Sequence, residues 1–318
     1  MSCPVTRLTL LFSLILCPTA YSQAPVSAQP AFSLKPVGNN VWAAIANPKS
    51  LAGANAGFII GDDGVAVVDS FEAPEAARQL LAEIRKLTKL PIKFVIDTHY
   101  HIDHVAGNSV FRDVGAVIIG QRNVREWIHT ENLKFFGKNI KPEQKLLVEQ
   151  LAAPDVIYDS SLVLFLGSRR IQIMWKLGHT GGDSIVQVAD AKVVFCGDLF
   201  WRMTLPNLID ASTASWTVTL DFLSRSNPGG SFIPGHGDVG TVDDIRQFRE
   251  YLLNLRKLVG GAQGQGKSGE ALTYAVLPTL TQNYGQWDFF DYFAKKNITD
   301  TDAELSGKKK IPVPVNIE

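Results

Sequence analysis

One histidine-rich segment constrains this chain more than any other feature. It follows the apolar, strand-like run Ile92–Ile96 and reads Thr98-His99-Tyr100-His101-Ile102-Asp103-His104. Four side chains that can bind a metal fall within six residues of this segment. Imidazole nitrogens and carboxylate oxygens both suit zinc and related borderline metals. A tight loop after a strand can direct such side chains toward two neighbouring ions, so the segment predicts a metal site at a strand end.

Three further candidate ligands follow other strand-like runs, and each lies beside a glycine. They are His179 after residues 171–175, Asp198 after residues 193–195, and His236 after residues 231–233. Glycine lets the backbone approach a crowded site closely. Five of the six histidines therefore occupy predicted strand-end positions, and only His129 is expected on the surface away from them.

Strand-like and helix-like segments recur in both halves of the chain. Further strands are predicted at residues 41–45, 57–60, 65–68, 117–119, 162–166 and 185–188. Helices are predicted at residues 75–87, 121–130, 213–226 and 241–259, followed by a glycine-rich linker at 260–269. Two sheet-forming halves with helices between them favour a layered α/β protein.

A cluster of aromatic residues near the C-terminus has helical spacing. It contains Trp287, Phe289, Phe290, Tyr292 and Phe293. This pattern predicts a helical tail whose aromatic face docks on the rest of the protein, rather than a cage for a ligand.

The order of the metal-binding motifs resembles the metallo-β-lactamase superfamily. The motifs are His-x-His-x-Asp-His, Gly-His-Thr, Gly-Asp and Pro-Gly-His-Gly, and the similarity spans residues 41–259. The resemblance implies an α/β fold, a four-layer αβ/βα sandwich with the site at one edge between its two sheets and a short helical C-terminal tail. It also implies two sets of ligands bridged by Asp198: His99, His101 and His179 for one ion, and Asp103, His104 and His236 for the other.

Two bound ions imply a hydrolase, with zinc as the expected metal and iron or manganese as alternatives. A hydroxide shared by the ions would be the nucleophile, because zinc lowers the pKa of bound water to about 7. Asp103 would orient that nucleophile or relay a proton. Asp69 is either a partner that orients a ligand histidine or a turn cap beside Ser70. Trp201 is assigned to the substrate pocket, and Arg202 would pair there with a substrate carboxylate.

Asp198 distinguishes the chain from the best-known zinc β-lactamases, which carry cysteine or serine at this position. An aspartate at this position is more similar to the pattern of glyoxalase II thioesterases, lactonases and phosphodiesterases. Lactonases, however, place tyrosine where this chain has Trp201, and flavodiiron oxidoreductases replace His101 with glutamate. An amide, ester, thioester or lactone is therefore the expected substrate, with glyoxalase II-like thioesterase or phosphodiesterase activity as the alternative. A metal-dependent binding protein is the non-enzyme alternative, although seven candidate ligands exceed the four of a closed structural zinc site.

The first residues have the order of parts of a secretory signal. Arg7 precedes the apolar run 8–16, and Ala20-Tyr21-Ser22 resembles a cleavage site. We therefore expect a signal peptide at 1–22, a flexible lead-in at 23–32, the metallo-β-lactamase domain at 33–261 and a helical extension at 262–318. Such a protein would be periplasmic or secreted, and the apolar run is too short to anchor it in a membrane.

The charge composition limits the kinds of partner that the protein is expected to bind. Lysine plus arginine and aspartate plus glutamate are equal at 31 each, so there is no net basic field to attract nucleic acid. A small-molecule substrate is the expected partner, and the oligomeric state is left open. Two of the three cysteines lie in the predicted signal peptide, so Cys196 would have no partner for an internal disulfide.

Overall fold

The computed structural model describes residues 30–312, which form twelve strands in two sheets and ten α-helices. The predicted signal peptide, most of the lead-in and residues 313–318 lie outside this range. Within it, no helix combines the length and the apolar character that a membrane span requires.

The first sheet has seven strands in sequence order. They are β1 (Phe32–Gly38), β2 (Val41–Ala46), β3 (Ala56–Ile60), β4 (Val65–Val68), β5 (Ile92–Ile96), β6 (Val117–Gln121) and β7 (Val156–Tyr158). Strands β1 to β4 pair antiparallel, whereas β4 to β7 pair parallel and so require long connections. Those connections hold α1 (Pro74–Leu87), α2 (Ile102–Val105), α3 (Asn108–Arg112), α4 (Arg122–Trp127), α5 (Thr130–Phe136) and α6 (Pro142–Glu149).

The second sheet has five strands in the order β12-β11-β10-β9-β8. They are β8 (Ser161–Leu166), β9 (Arg169–Trp175), β10 (Ser184–Val188), β11 (Val193–Trp201) and β12 (Ser231–His236). The last two are parallel, and α7 (Thr213–Ser226) connects them. Three helices follow β12: α8 (Val242–Gly264), α9 (Gly269–Tyr284) and α10 (Phe290–Leu305).

The two sheets pack face to face, with helices on both outer faces. Apolar side chains of both sheets, such as Val68 and Phe195, share one buried core. Side chains of α1 and α3 cover the outer face of the first sheet, and those of α7 to α10 cover the second. Strand β4 is buried along its whole length because both of its faces are covered. The expected four-layer αβ/βα sandwich with a short helical C-terminal tail is thereby confirmed.

Strands β11 and β12 are longer than the sequence predicts. The predicted strands end at residues 195 and 233, but β11 continues to Trp201 and β12 to His236. Gly197 and Gly235 suggest strand ends, whereas the parallel pairing of the two strands continues past Gly197 through shifts in register. Asp198 and His236 therefore lie on paired strands and not in loops, which holds their backbones in place.

Two predicted boundaries also differ. Strand β1 begins at Phe32, the last residue of the predicted lead-in, and the Phe32 ring stacks on Phe71. The predicted linker at 260–269 is wrong in its first half, because α8 continues to Gly264. Its residues Val259 and Ala262 are buried in the core. That burial offsets the helix propensity cost of glycine, about 1 kcal/mol for each residue.

Candidate metal centre

All seven predicted ligands converge at one edge of the sandwich, where strands of both sheets end. Four of them follow β5 of the first sheet, and the other three belong to the second sheet. His179 lies in the turn before β10, Asp198 lies within β11, and His236 is the last residue of β12. A segment of the first sheet and three segments of the second therefore build the site together.

The ligand atoms form two groups, and the atoms within each group lie within 4.8 Å of one another. One group contains His99, His101, His179 and Asp198, and the other contains Asp103, His104 and His236. These groups match the two ligand sets that the sequence resemblance implies.

The two carboxylate oxygens of Asp198 face different groups. Oδ2 lies 3.1 Å from His179 Nε2 and 3.6 Å from His99 Nε2. Oδ1 lies 3.1 Å from His104 Nε2 and 3.5 Å from His236 Nε2. Donor atoms around one tetrahedral zinc ion are roughly 3.3–3.6 Å apart, given zinc–ligand distances of 2.0–2.2 Å. The spacing therefore suits one cation on each side of the Asp198 carboxylate.

Several of the donor atoms have no other bonding partner among the described residues. The Nε2 atoms of His99, His104 and His236 and Oδ1 of Asp198 are buried without a hydrogen bond to any residue from 30 to 312. His104 Nε2 and Asp198 Oδ1 are close enough for such a bond, but they are not aligned for it. Buried polar atoms seldom stay unpaired in proteins. Bound cations would satisfy all of them, so the residues present fit a metal centre.

Four of the donors have ionisation states that suit metal binding directly. Burial lowers the pKa values of His99 and His179, which keeps their rings neutral at pH 7. Burial alone would raise the pKa of Asp103, but His104 and His236 outweigh it and lower that pKa to about 2. Burial alone would also raise the pKa of Asp198, but the adjacent imidazoles, His104 foremost, outweigh it and hold that pKa well below its ordinary value. Neutral imidazoles and ionised carboxylates are the forms that bind cations.

The other two donors with shifted pKa values are His101 and His104. Burial alone would lower these pKa values, but Asp210 beside His101 and Asp198 beside His104 outweigh it and raise them. A cation would therefore bind there in place of a proton.

Asp69 holds His104 in place. Its Oδ2 lies 2.8 Å from His104 Nδ1, and its carboxylate accepts hydrogen bonds from the backbone N–H and the hydroxyl of Thr98, both at 2.8 Å. Asp69 lies directly after β4 and has φ +58°, a left-handed conformation that aspartate and asparagine adopt more readily than most residues. Of the two roles open from the sequence, the contacts favour orientation of a ligand histidine.

Two supporting carboxylates were not found by sequence reasoning. Asp210 accepts a hydrogen bond of 2.7 Å from the Tyr100 hydroxyl, and its Oδ2 lies 3.5 Å from His101 Nε2. Asp183 accepts hydrogen bonds from the backbone N–H and the hydroxyl of Thr180, which fixes the turn that carries His179. No spacing rule connects Asp210 with His101, because Asp210 lies in an irregular segment after β11.

A cleft of about 710 Å³ opens beside the two ligand groups, and His101, Asp103, Asp198 and His236 lie in its floor. Trp201, which the sequence assigns to the substrate pocket, lines this cleft: its ring stacks on the His236 ring with centroids 4.0 Å apart, and its Nε1 donates to the Asp198 carbonyl oxygen. Trp201 thus contacts the site and also helps to hold two of its ligands.

Arg202 has a different environment from the one expected. It is not among the residues that line the cleft, and its guanidinium donates to Asp244, near the start of α8, at 3.0 Å. Arg202 lies just after the last residue of β11, and its contact with α8 takes the guanidinium to a partner that does not line the cleft. The structure therefore gives no support for Arg202 as a partner of the substrate.

The aromatic residues of the C-terminal segment divide between two roles. Trp287 and Phe290 are buried in the core with α7 and α8, as the predicted docking face requires. Phe289 and Tyr292 instead line the cleft and are 50% and 72% exposed. The expectation that these aromatics only dock was therefore wrong for Phe289 and Tyr292.

Comparison with known proteins agrees with this geometry. The sequence model of the metallo-beta-lactamase superfamily matches residues 51–239. A metallo-beta-lactamase from Pontibacter korlensis superposes with a TM-score of 0.58 at 20% identity, covering 70% of this chain and 99% of that one. At this identity, the likeness shows the fold alone.

Curated relatives include two kinds of enzyme. A hydroxyacylglutathione hydrolase from Brucella anthropi is 26% identical over 170 residues, which cover 53% of this chain and 56% of the relative. A linear primary-alkylsulfatase from a Pseudomonas species is 41% identical over 215 residues, which cover 57% of this chain and 40% of the relative. The chain thus spans only about half the length of these relatives.

Replacing Asp69 by asparagine should weaken metal binding by about 10–100-fold, the usual effect of losing a group that orients a metal ligand. Asparagine tolerates the same backbone conformation, so the change removes the charge beside His104 Nδ1 without new backbone strain. Competition with a chromophoric chelator measures the affinity. The control is Asp63→Asn, because Asp63 is exposed and pairs with Lys93 away from the site. Equal affinities in the two variants would show that Asp69 is only a turn cap.

Proposed function

Because the chain belongs to the metallo-β-lactamase superfamily, we propose that it is an exported, binuclear metal-dependent hydrolase that cleaves an amide, ester, thioester or lactone. The observation that carries the proposal is the position of Asp198, with one carboxylate oxygen toward each ligand group. A structural zinc site closes around four ligands, whereas seven donors shared by two groups favour an open catalytic site.

The chain's own residues divide the work of the site. His99, His101 and His179 would hold one cation, Asp103, His104 and His236 would hold the other, and Asp198 would contact both. When bound, such a pair of cations supplies an activated water nucleophile at neutral pH and polarises the bond to be cleaved. Zinc is the metal proposed, with iron or manganese as alternatives.

Asp103 is suited to orienting the attacking water. Its Oδ2 lies 3.3 Å from His236 Nε2, and its side chain is partly open to the cleft. A general base works best when its pKa lies near the working pH. Burial alone would raise the pKa of Asp103, but His104 and His236 outweigh it and hold that pKa below its ordinary value, away from the range of a good base. We therefore assign Asp103 to accepting a hydrogen bond from the water and not to storing its proton.

Two relatives suggest two substrate classes. Hydroxyacylglutathione hydrolases favour a thioester. Glutathione is an anionic peptide, however, and Lys49 is the only lysine or arginine among the described residues that line the cleft. The 41% identity to a linear primary-alkylsulfatase supports cleavage of a sulfate ester as the second candidate activity.

Export follows from the predicted signal peptide, since Arg7, the apolar run 8–16 and the Ala20-Tyr21-Ser22 pattern have the order that a signal peptidase recognises. Protein recovered from the envelope or medium of its host should begin near Gln23. Intact-mass measurement tests this, and a full-length chain confined to the cytoplasm would contradict it.

The role of Asp198 predicts the effect of Asp198→Asn. The amide lacks the charge, and its nitrogen is a donor that cannot bind a cation well. We expect weaker binding of both ions and turnover reduced by at least about 100-fold, since loss of a supporting group alone costs 10–100-fold. Turnover is measured on the substrates cleaved from a panel of a β-lactam, a lactone, a thioester, a phosphodiester and an alkyl sulfate.

The matched control is Asp190→Asn, because Asp190 is exposed and pairs with Arg169 on the second sheet. Asp183 is unsuitable as a control, since it fixes the turn before His179. Full metal content and full turnover in Asp198→Asn would contradict the bridging role. Two bound ions without cleavage of any panel substrate would favour the metal-dependent binding protein.

A further inference from the structure

An aromatic wall stands beside the metal centre, and it comes from two distant segments. Phe135 belongs to α5, whereas Phe289, Tyr292 and Phe293 belong to the start of α10 and the residue before it. Phe135 is 42% exposed, Phe289 is 50% exposed and Tyr292 is 72% exposed. Exposed aromatic residues grouped in a cleft that continues into a reacting centre are typical of a surface that contacts a ligand.

The wall has a fixed position relative to the ligands. Asp288, immediately before Phe289, exchanges backbone hydrogen bonds with the segment that follows β11: its N–H donates to Met203, and its carbonyl oxygen accepts from Leu205, both at 2.9 Å. The Phe289 ring centroid lies 6.3 Å from that of His236. The segment that follows β11, the strand that carries Asp198, therefore positions the α10 side of the aromatic wall.

Phe289 has an unfavourable backbone conformation, and its ring lies in the cleft. Its φ is +59°, in the left-handed region that bulky residues seldom adopt. A half-exposed phenylalanine in such a conformation contributes little to the core. Strained residues of this kind occur mainly at functional sites.

The charges in the cleft disfavour an anionic group along this wall. Glu72, Asp288 and Lys49 all line this cleft and are all exposed, so acidic side chains outnumber basic ones there. A carboxylate placed near Glu72 and Asp288 would be repelled by their like charge. An uncharged apolar group would instead gain by leaving water.

We propose that the cleft binds an uncharged alkyl or aryl group of the substrate, attached next to the bond that is cleaved, and that the C-terminal helices select it through Phe289 and Tyr292. This inference rests on the proposed function for the location of the cleaved bond. It assigns to the extension after residue 261 a role in specificity.

The test compares how metal-loaded protein binds acetate, hexanoate and decanoate, measured by calorimetry below the micelle concentration. The three carboxylates present the same group to the metal centre, so differences in Kd report the cleft. Each buried methylene should tighten binding by about fourfold. We expect decanoate to bind at least about tenfold more tightly than acetate, even if only a few methylenes are buried.

The Phe289→Asn, Tyr292→Ala double variant should lower the decanoate preference, which is the ratio of the acetate Kd to the decanoate Kd, by at least about threefold. Asparagine suits the left-handed backbone at position 289, so the variant removes apolar area without adding strain. Phe289→Leu, which keeps an apolar side chain, should retain most of the preference. The control is Tyr274→Ala on α9, because Tyr274 is 79% exposed and is not among the residues that line the cleft.

Equal Kd values for acetate and decanoate in the unmodified protein would overturn the inference. It would also be overturned if the double variant left the preference unchanged and instead converted a dimer to a monomer in sedimentation velocity, because the wall would then be a contact between two copies. A chain-length preference without turnover of any panel substrate would support the apolar cleft and refute the proposed hydrolase. Turnover without any chain-length preference in kcat/KM or Kd would refute the cleft assignment and leave the hydrolase standing.

Discussion

The carboxylate of Asp198 is only 3% exposed and is surrounded by the rings of four histidines. A buried carboxylate loses its hydration, a cost of several kcal/mol that nearby positive charge and hydrogen bonds must offset. The neutral imidazole of His99 does not supply that charge, whereas a protonated His104, or cations held between the imidazoles and the carboxylate, would. The rest of the site is arranged so that these donor atoms stay close to one another and are shielded from water.

The scaffold meets this requirement by joining the two sheets at one edge. Asn55, just before β3, donates from its side chain to the carbonyl oxygens of Pro234 and Gly237 at 2.9 and 2.8 Å. Its backbone N–H donates to Gly235 at 2.7 Å. These bonds tie the end of β12, with His236, to the first sheet. A Cβ at Gly235 would overlap Asp198 Oδ1, so only glycine allows β12 to approach β11 so closely.

Sequence reasoning found the metal donors because their signal is local. Each donor lies beside a strand-like run and, in the second half, beside a glycine, and the motif order resembles one superfamily. The same glycines misled the prediction of strand length: Gly197 and Gly235 suggest ends, whereas parallel pairing carries β11 and β12 onward to Trp201 and His236. The glycines near the end of α8 predicted a linker where the helix in fact continues, because core packing outweighs intrinsic helix propensity.

Other parts of the site depend on contacts between distant segments, which no local pattern reveals. Asp210 meets His101, and Asn55 meets β12, only after the sheets have packed. Aromatic spacing in the C-terminal segment correctly predicted a helix that packs on the core. It did not show that Phe289 and Tyr292 would face a cleft, because that depends on the backbone pairing of Asp288 with the residues after β11.

Metal stoichiometry tests the account most directly, because every role assigned to Asp198 depends on two cations. Protein saturated with zinc, iron or manganese and freed of loosely bound metal would be analysed for metal content per chain. The geometry predicts two ions per chain, one in each ligand group. A content that never exceeds one ion, under any of the three metals, would contradict the binuclear centre.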